Sequence, residues 1–408
     1  RAAPRRADER APSRMSDSFS PFSIARLPRI EFGSGSLDRL PDIAAGYGRH
    51  LLLVTGARSF AESEAGARLF ASLRTRNLSW EQVRVTGEPS PEFVDASVAA
   101  LRGTRFDAVV GIGGGSALDA AKAIAGLLRP GNSVLDHLEG IGPERPYNGE
   151  ATPFIAVPST AGTGSEATKN AVLSVPGSYK KSFRDDRLVA EWAIIDPDLL
   201  ATCPPALIAA DGLDAFTQLL ESFVSSRANP LTDALARSGI MAARDALPAL
   251  HRQQSAAARA QMAYASLASG ICLAQAGLGA VHGLASPLGA FFPIPHGVVC
   301  GTLLASATES NIAALETRDP GNPALPKYAE IGRHFAMQKG LDGPEARRFL
   351  VASLRRWEEE LELPRLAAYG IGTADLERIV AASRGSSMKT NPVVLSDTEL
   401  TRILASRL

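Results

Sequence analysis

Cysteine is scarce: Cys203, Cys272 and Cys300 are the only three in 408 residues. They lie far apart and show no CxxC spacing, which excludes a zinc-knuckle pattern and a disulfide framework and suits a reducing cytoplasm. Net charge is also missing. Lys and Arg number 43 and Asp and Glu number 43, a formal balance of zero, so no global positive field draws the chain to nucleic acid or to an anionic membrane. No apolar stretch reaches the roughly 18 residues that span a bilayer, because Gly, Ser or Gln interrupts the longest ones. The Arg-, Ala- and Pro-rich opening, Arg1 to Arg14, precedes Met15 and has no apolar core of the secretory kind. Residues 1–26 are expected to form a disordered extension.

What remains has the composition of a globular protein, 45% hydrophobic and 21% charged, with length for two domains. From Leu27 to about Pro197, compact apolar runs alternate with amphipathic stretches. Leu51–Thr55, Ala108–Ile112, Phe154–Val157 and Ala193–Ile195 read as buried parallel strands. Ala61–Arg74 and Pro91–Leu101 read as helices between the earlier ones. This alternation predicts a doubly wound α/β sheet over 27–197. After Asp196-Pro197 the strand-like runs almost vanish. Pro204–Ser225, Leu231–His251, Ala256–Leu273, His282–Phe292, Arg347–Glu362 and Thr373–Ala382 have helical spacing, so 198–408 is expected to be all-helical, with the boundary near Asp196–Thr202. Thr317–Pro326 reads as a surface loop.

The strand at 107–112 runs into Gly113-Gly114-Gly115-Ser116 and then into a helix, Ala117–Leu128. Glycines admit unusual backbone angles and close approach, and a helix N-terminus adds unpaired N–H donors and a positive dipole end, so the pattern suits a phosphate. Ser116 is expected to cap the helix, Asp119 to lie in its first turn and Lys122 one turn on. A second loop, Pro158 to Glu166 (PSTAGTGSE), follows the strand ending at Val157. It offers hydroxyls and flexible backbone for a ribose and pyrophosphate. Two such loops after two strands of one sheet imply a cleft.

The motifs GGGSALDAAK at 113–122 and PSTAGTGSEAT at 158–168 resemble the signatures of the iron-containing (group III) alcohol dehydrogenases. The resemblance continues through Asp196-Pro197, Asp211-Gly212-Leu213-Asp214-Ala215, His282-Gly283 and Pro295-His296-Gly297 to Asn391-Pro392. It implies an N-terminal dinucleotide-binding α/β domain, an all-α C-terminal domain, NAD or NADP, and a divalent metal, Fe or Zn, in the cleft between them. By position it implies that Gly114, Gly115 and Ser116 hold the pyrophosphate, that Thr160 and Thr163 line the cofactor, and that Lys181 reaches its ribose; otherwise Lys181 is a solvated loop lysine beside Lys180. NAD-preferring members of the family often carry Asp where this chain has Gly56. Gly56 with nearby Arg58 either admits the 2′-phosphate of NADP or is merely a turn glycine.

The family's metal ligands are an Asp, a His four residues on, and two later histidines. Asp214, His282 and His296 stand at three of these positions, and Gln218 replaces the first histidine. A further family histidine, four residues after His282, is here Ser286. A neutral amide is a poorer ligand than imidazole, yet three protein ligands and one open position make an adequate catalytic site. His50, His137, His251 and His334 match no motif. Asp211 is read as a helix-start residue in preference to a support for the site, and Phe154, Phe291 and Phe292 as candidate substrate lining.

The resemblance thus implies hydride transfer between a nicotinamide and a small alcohol or aldehyde, with Asp214, His282 and His296 at the catalytic centre. Ser286 with a water, or a cofactor ribose hydroxyl, would replace the usual proton path. A cytoplasmic homo-oligomer, a dimer or larger, is expected, with no nucleic-acid or membrane partner. Three alternatives stay open: a metal-independent reductase like the maleylacetate reductases, a lyase related to dehydroquinate synthase, and a non-catalytic cofactor-binding scaffold.

Overall fold

The computed structural model describes residues 20–57 and 60–408. Most of the expected extension, and Arg58, lie outside the described residues. Among the described residues there are eight strands: β1 (Arg29–Phe32), β2 (His50–Gly56), β3 (Ser79–Val85), β4 (Ala108–Gly113), β5 (Phe154–Pro158), β6 (Asn170–Val175), β7 (Tyr179–Arg184) and β8 (Trp192–Ile195). Six form one sheet in the order β1-β8-β5-β4-β2-β3, with every pairing parallel. The other two, β6 and β7, make an antiparallel hairpin.

Helices α1 (Leu40–Ala45), α2 (Glu64–Thr75), α3 (Pro91–Ala100) and α4 (Gly115–Leu127) accompany the sheet. The two faces of β2 show why the strands are apolar throughout. Leu51 and Leu53 pack with Leu69 and Leu73 of α2, while Leu52 and Val54 pack with Leu118 and Ile124 of α4. Alternate side chains leave a strand on opposite faces, so covering both faces requires a continuous apolar run.

Beyond Pro197 the described residues hold only helices: α5 (Pro205–Val224), α6 (Pro230–Arg252), α7 (Ala256–Ala276), α8 (Ala280–Phe291), α9 (His296–Arg318), α10 (Ala324–Ala336), α11 (Gly343–Glu360), α12 (Leu376–Ala382) and α13 (Asp397–Ala405), with short 3-10 turns between some of them. The architecture is therefore a parallel α/β sheet followed by an all-α half. Helix α9 departs from the sequence reading. It is long and apolar enough to cross a membrane by length and composition alone, and most of it is buried. It is a core helix of the bundle, buried continuously over Gly297–Thr308 and exposed at Glu309, Ala313 and Glu316 beyond, and buried Gly297 and Gly301 within it do not break it. The expected loop at 317–326 shrinks accordingly, since α9 runs to Arg318 and α10 starts at Ala324.

The strand order positions the site. From β2 the chain moves to β3 at one edge, then returns past β2 to β4 on its other side. Outside the carboxyl ends of β2 and β4 the connections diverge, and such a switch point leaves a crevice for ligands. Gly56 ends β2 and Gly113 ends β4, and a Cβ on Gly113 would stand 3.4 Å from the Gly56 nitrogen.

Candidate active site

The turn from β4 into α4 is built from glycine because nothing larger fits. Gly113 has φ +156°, and a Cβ there would lie 2.6 Å from the Ala117 Cβ. A Cβ on Gly115 would lie 2.6 Å from Thr163 Cγ2, and one on Gly114 3.3 Å from Thr160 Cγ2. The two glycine loops therefore touch along Gly114–Thr160 and Gly115–Thr163, at the start of a 13-residue helix whose first N–H groups are free. The sequence reading needs two corrections here. Gly114 is the N-cap, and no side chain caps the helix, because Ser116 already lies inside the first turn. Asp119 belongs to the second turn and accepts a hydrogen bond from Ser165 Oγ at 2.6 Å.

Lys122 points inward and is fully buried. Its ammonium donates to Ser165 O, Ser165 Oγ, Thr168 Oγ1 and Asn170 O at 2.7–3.0 Å. Burial pushes its pKa down to about 8, opposed by Asp119 and Glu166. The lysine ties α4, which leaves the first glycine loop, to the segment that leaves the second. Lys181 lies on strand β7 and not in a loop, half-buried beside Gly140. Among the described residues, nothing lies within 4 Å of where a Cβ on Gly56 would stand.

A second cluster forms where α5, α8 and α9 meet. The Asp214 carboxylate, the His282 and His296 imidazoles and the Cys300 thiol bring one ligand atom each to within 4.8 Å of one another. Asp214 Oδ1 lies 3.2 Å from His282 Nε2 and 3.7 Å from His296 Nε2. Cys300 Sγ lies 3.6 Å from His282 Nε2 and 3.7 Å from His296 Nε2. His296 opens α9 behind Pro295, and Cys300 follows one turn later on the same face. His282 sits in the first turn of α8 behind Gly279. Its Nδ1 hydrogen-bonds Glu221 Oε2 at 2.6 Å, and the other Glu221 oxygen accepts the Val281 N–H. Glu221 thereby fixes the ring and turns Nε2 toward Asp214.

The electrostatics suit a cation. Burial opposes ionisation of Asp214, yet His296, His282 and Cys300 hold its carboxyl below the ordinary value. Burial pushes His296 down to about 4, which keeps its imidazole neutral and able to donate a lone pair. Burial would also lower His282, but Cys300, Glu221 and Asp214 around its two ring nitrogens hold it well above the ordinary value. Burial raises the Cys300 thiol to about 12. A carboxylate and two imidazole nitrogens facing one buried point are a ligand set for a divalent ion, so the residues present fit a metal.

The sequence reading brought Asp214, His282 and His296 together correctly and missed Cys300 and Glu221. Cys300 carried a signal, His-x3-Cys within one helix, which a search for paired cysteines does not detect. Gln218 lies one turn beyond Asp214 and is buried, with Oε1 2.6 Å from Ser269 Oγ. Ser286 lies one turn beyond His282 and is exposed. Asp211 is not a helix-start residue. It is in the second turn of α5, where its Cβ abuts Gly162 and its carboxyl meets Thr160. Burial, then the nearby Asp214, raises its pKa to about 7. Asp211 therefore connects the second glycine loop to the cluster. Phe154 packs in the sheet core against Gly111 and lines no cleft. Phe291 and Phe292 lie under the Arg378 guanidinium.

Comparison with known proteins agrees with this geometry over nearly the whole chain. Residues 28–197 match the family model described as iron-containing alcohol dehydrogenase. Residues 208–408 match the C-terminal model of the Fe-containing alcohol dehydrogenase family. Alcohol dehydrogenase 4 of Saccharomyces cerevisiae is 32% identical over 385 residues, 93% of this chain and 96% of that one. Long-chain-alcohol dehydrogenase 1 of Geobacillus thermodenitrificans is 37% identical over 289 residues, 69% of this chain and 72% of that one. Among solved structures, a 1,3-propanediol oxidoreductase superimposes with a TM-score of 0.85 at 27% identity, over 95% of this chain and 100% of that one.

Proposed function

The chain belongs to the iron-containing alcohol dehydrogenase family, and from that premise we propose that Asp214, His282 and His296 hold its divalent metal beside a nicotinamide bound across the two glycine loops. It is an NAD(P)-linked oxidoreductase acting on small alcohols and aldehydes. The observation that carries the assignment of residues is the convergence of three ligand atoms within 4.8 Å of one another, with Asp214 Oδ1 3.2 and 3.7 Å from the two imidazole Nε2 atoms, next to Asp211, which abuts Gly162 of the second glycine loop.

In this reading the N–H groups of Gly114, Gly115 and Ser116 bind the pyrophosphate at the positive end of α4. Thr160 and Thr163 flank it, and Lys181 reaches a ribose hydroxyl. A nicotinamide bound across the two loops would supply the hydride chemistry, and the side chains of the α5–α8–α9 cluster would position the substrate oxygen. A divalent ion supplies Lewis-acid polarisation of the substrate oxygen when bound. Glu221 keeps the His282 ring in its tautomer and orientation. Ser286, exposed one turn from His282, passes the alcohol proton to solvent through a water. Gln218 takes the place of a family histidine and contributes little or nothing as a ligand.

We further propose that 27–197 and 198–408 act as two domains, with 1–26 a disordered extension, and that the enzyme is a cytoplasmic homo-oligomer. Strand β1 supports assembly: it is a sheet edge with Ile30 and Phe32 exposed. Sedimentation should then give at least twice the 42.9 kDa of one chain.

Purified protein is expected to oxidise NADH or NADPH with a panel of short aldehydes. Binding without turnover on every aldehyde would favour the cofactor-binding scaffold. The space that the described residues leave at Gly56 predicts that NADP(H) serves at least comparably to NAD(H), and that Gly56→Asp shifts preference toward NAD(H) by repelling the 2′-phosphate. A hundredfold or greater preference of the wild type for NAD(H) would overturn this. Gly115→Val would drive a side chain into Thr163 and separate the two loops. It should weaken cofactor binding at least tenfold, about 1.4 kcal/mol, in a titration of NADH fluorescence. Unchanged affinity in a variant with native circular dichroism would remove the glycine loop from the cofactor site.

A further inference from the structure

We propose that the Cys300 thiolate is the fourth protein ligand of the metal, in the place that Gln218 leaves, and that it gives the site a preference for thiophilic ions such as Zn²⁺ over Fe²⁺. The inference rests on the reading that Asp214, His282 and His296 hold a metal, and extends it.

Three observations carry it. Metal–ligand bonds of about 2.0–2.3 Å at tetrahedral angles set neighbouring ligand atoms about 3.3–3.6 Å apart. Cys300 Sγ stands 3.6 and 3.7 Å from the two imidazole Nε2 atoms, and those stand 3.2 and 3.7 Å from Asp214 Oδ1. The sulfur is therefore spaced as a ligand from both histidines at once. Second, His296 and Cys300 lie one turn apart on α9, the spacing that lets two side chains of one helix converge on one point.

Third, the Gln218 amide is tied at one end to Ser269. Ser269 has one hydroxyl proton and two acceptors, Gln218 Oε1 at 2.6 Å and Ser266 O at 2.7 Å. Turning the amide end for end satisfies both, with the Gln218 NH₂ donating to Ser269 and Ser269 donating to Ser266. In either orientation one end of the amide is held by Ser269. A neutral amide oxygen is in any case a weaker donor than thiolate, and thiolate favours the softer ions. On binding, the thiol proton leaves to solvent and sulfur donates its lone pair to the ion.

The test is a Co²⁺ titration of the full-length protein stripped of metal by chelator, read by absorbance and not by activity. Wild type should develop one intense near-ultraviolet thiolate-to-cobalt band at one Co²⁺ per chain. Cys300→Ser should bind Co²⁺ at least about tenfold more weakly and without that band, whereas Gln218→Ala should keep both band and affinity. Competition should show the Zn²⁺-over-Fe²⁺ preference falling at least tenfold in Cys300→Ser. X-ray absorption of the wild-type Zn²⁺ form should show one sulfur at about 2.3 Å, a readout that needs no variant to fold. Stoichiometric metal binding with no sulfur in the shell would overturn the Cys300 assignment and leave the three-ligand site standing. No binding of Co²⁺, Zn²⁺ or Fe²⁺ by the wild type would overturn the three-ligand site itself.

Discussion

His282→Ala is expected to lower turnover at least about a thousandfold, about 4 kcal/mol of transition-state stabilisation, and to leave the purified protein without stoichiometric metal. The ring occupies the centre of the cluster. Its Nε2 faces Asp214 and Cys300, and its Nδ1 is fixed by Glu221. Without it, Asp214 and His296 form a two-ligand remainder that cannot hold catalytic geometry. Cys300 would leave three ligands, so metal binding that persists in the variant should be weak and carry the thiolate-to-cobalt band. The substitution also leaves the Glu221 carboxylate with only the Val281 N–H, so a melting curve must show that the variant remains folded. Wild-type protein provides the companion measurement, since chelation leaves the side chains in place. Chelator should abolish turnover, and added Zn²⁺ or Fe²⁺ should restore it. Full activity in protein shown metal-free by elemental analysis would decide for a metal-independent reductase, in which the histidines only donate hydrogen bonds to the substrate oxygen.

The elements that could be read in the sequence are those whose burial is one-sided in a regular way or complete over a short run. Strands β2, β4 and β5 are covered on both faces and show as unbroken apolar runs. Strand β3 escaped because it is an edge strand, with Ser79, Glu81 and Arg84 exposed and Trp80, Gln82 and Val83 only half-buried. The β6–β7 hairpin escaped because Lys180, Lys181 and Arg184 break any apolar pattern. Helix α9 failed for the opposite reason. Burial on every side over Gly297–Thr308 removes, from that half, the polar stripe that gives an amphipathic helix its period. At the site, Asp214, His282 and His296 were legible through the motifs that carry them, and these three converge. Glu221 was not, because its partner His282 lies 61 residues away and only the packing of α5 against α8 makes them neighbours. Asp211 was misread although the helical stretch was set from Pro204, because only tertiary packing brings Gly162 of the second glycine loop against it.

Lys122→Met is expected to destabilise the protein by about 3 kcal/mol, the cost of removing one member of a buried charged network. Methionine matches the length of the side chain, so little packing is lost. What is lost is an ammonium with three donors shared among four acceptors, Ser165 O, Ser165 Oγ, Thr168 Oγ1 and Asn170 O. Two of these are backbone carbonyls, of which Ser165 O keeps the Thr168 N–H and hydroxyl as donors. Asp119 at 3.9 Å loses its nearest cation, and Glu166, which burial already raises to about 7, loses the lysine charge that opposes this rise. The urea midpoint should fall, while Lys339→Met at an exposed position should change stability by less than about 0.5 kcal/mol. The pH dependence supplies a second check. Folding lowers the Lys122 pKa from 10.5 to about 8, so across that window the unfolded chain binds the extra proton. Wild-type stability must therefore rise with pH there, and Lys122→Met should flatten the rise. Function should follow stability, because Lys122 holds α4 against the segment that carries Thr163. Cofactor affinity should fall several-fold in the folded variant. Equal midpoints and equal affinity in Lys122→Met and wild type would show that the glycine loops hold their register without this lysine.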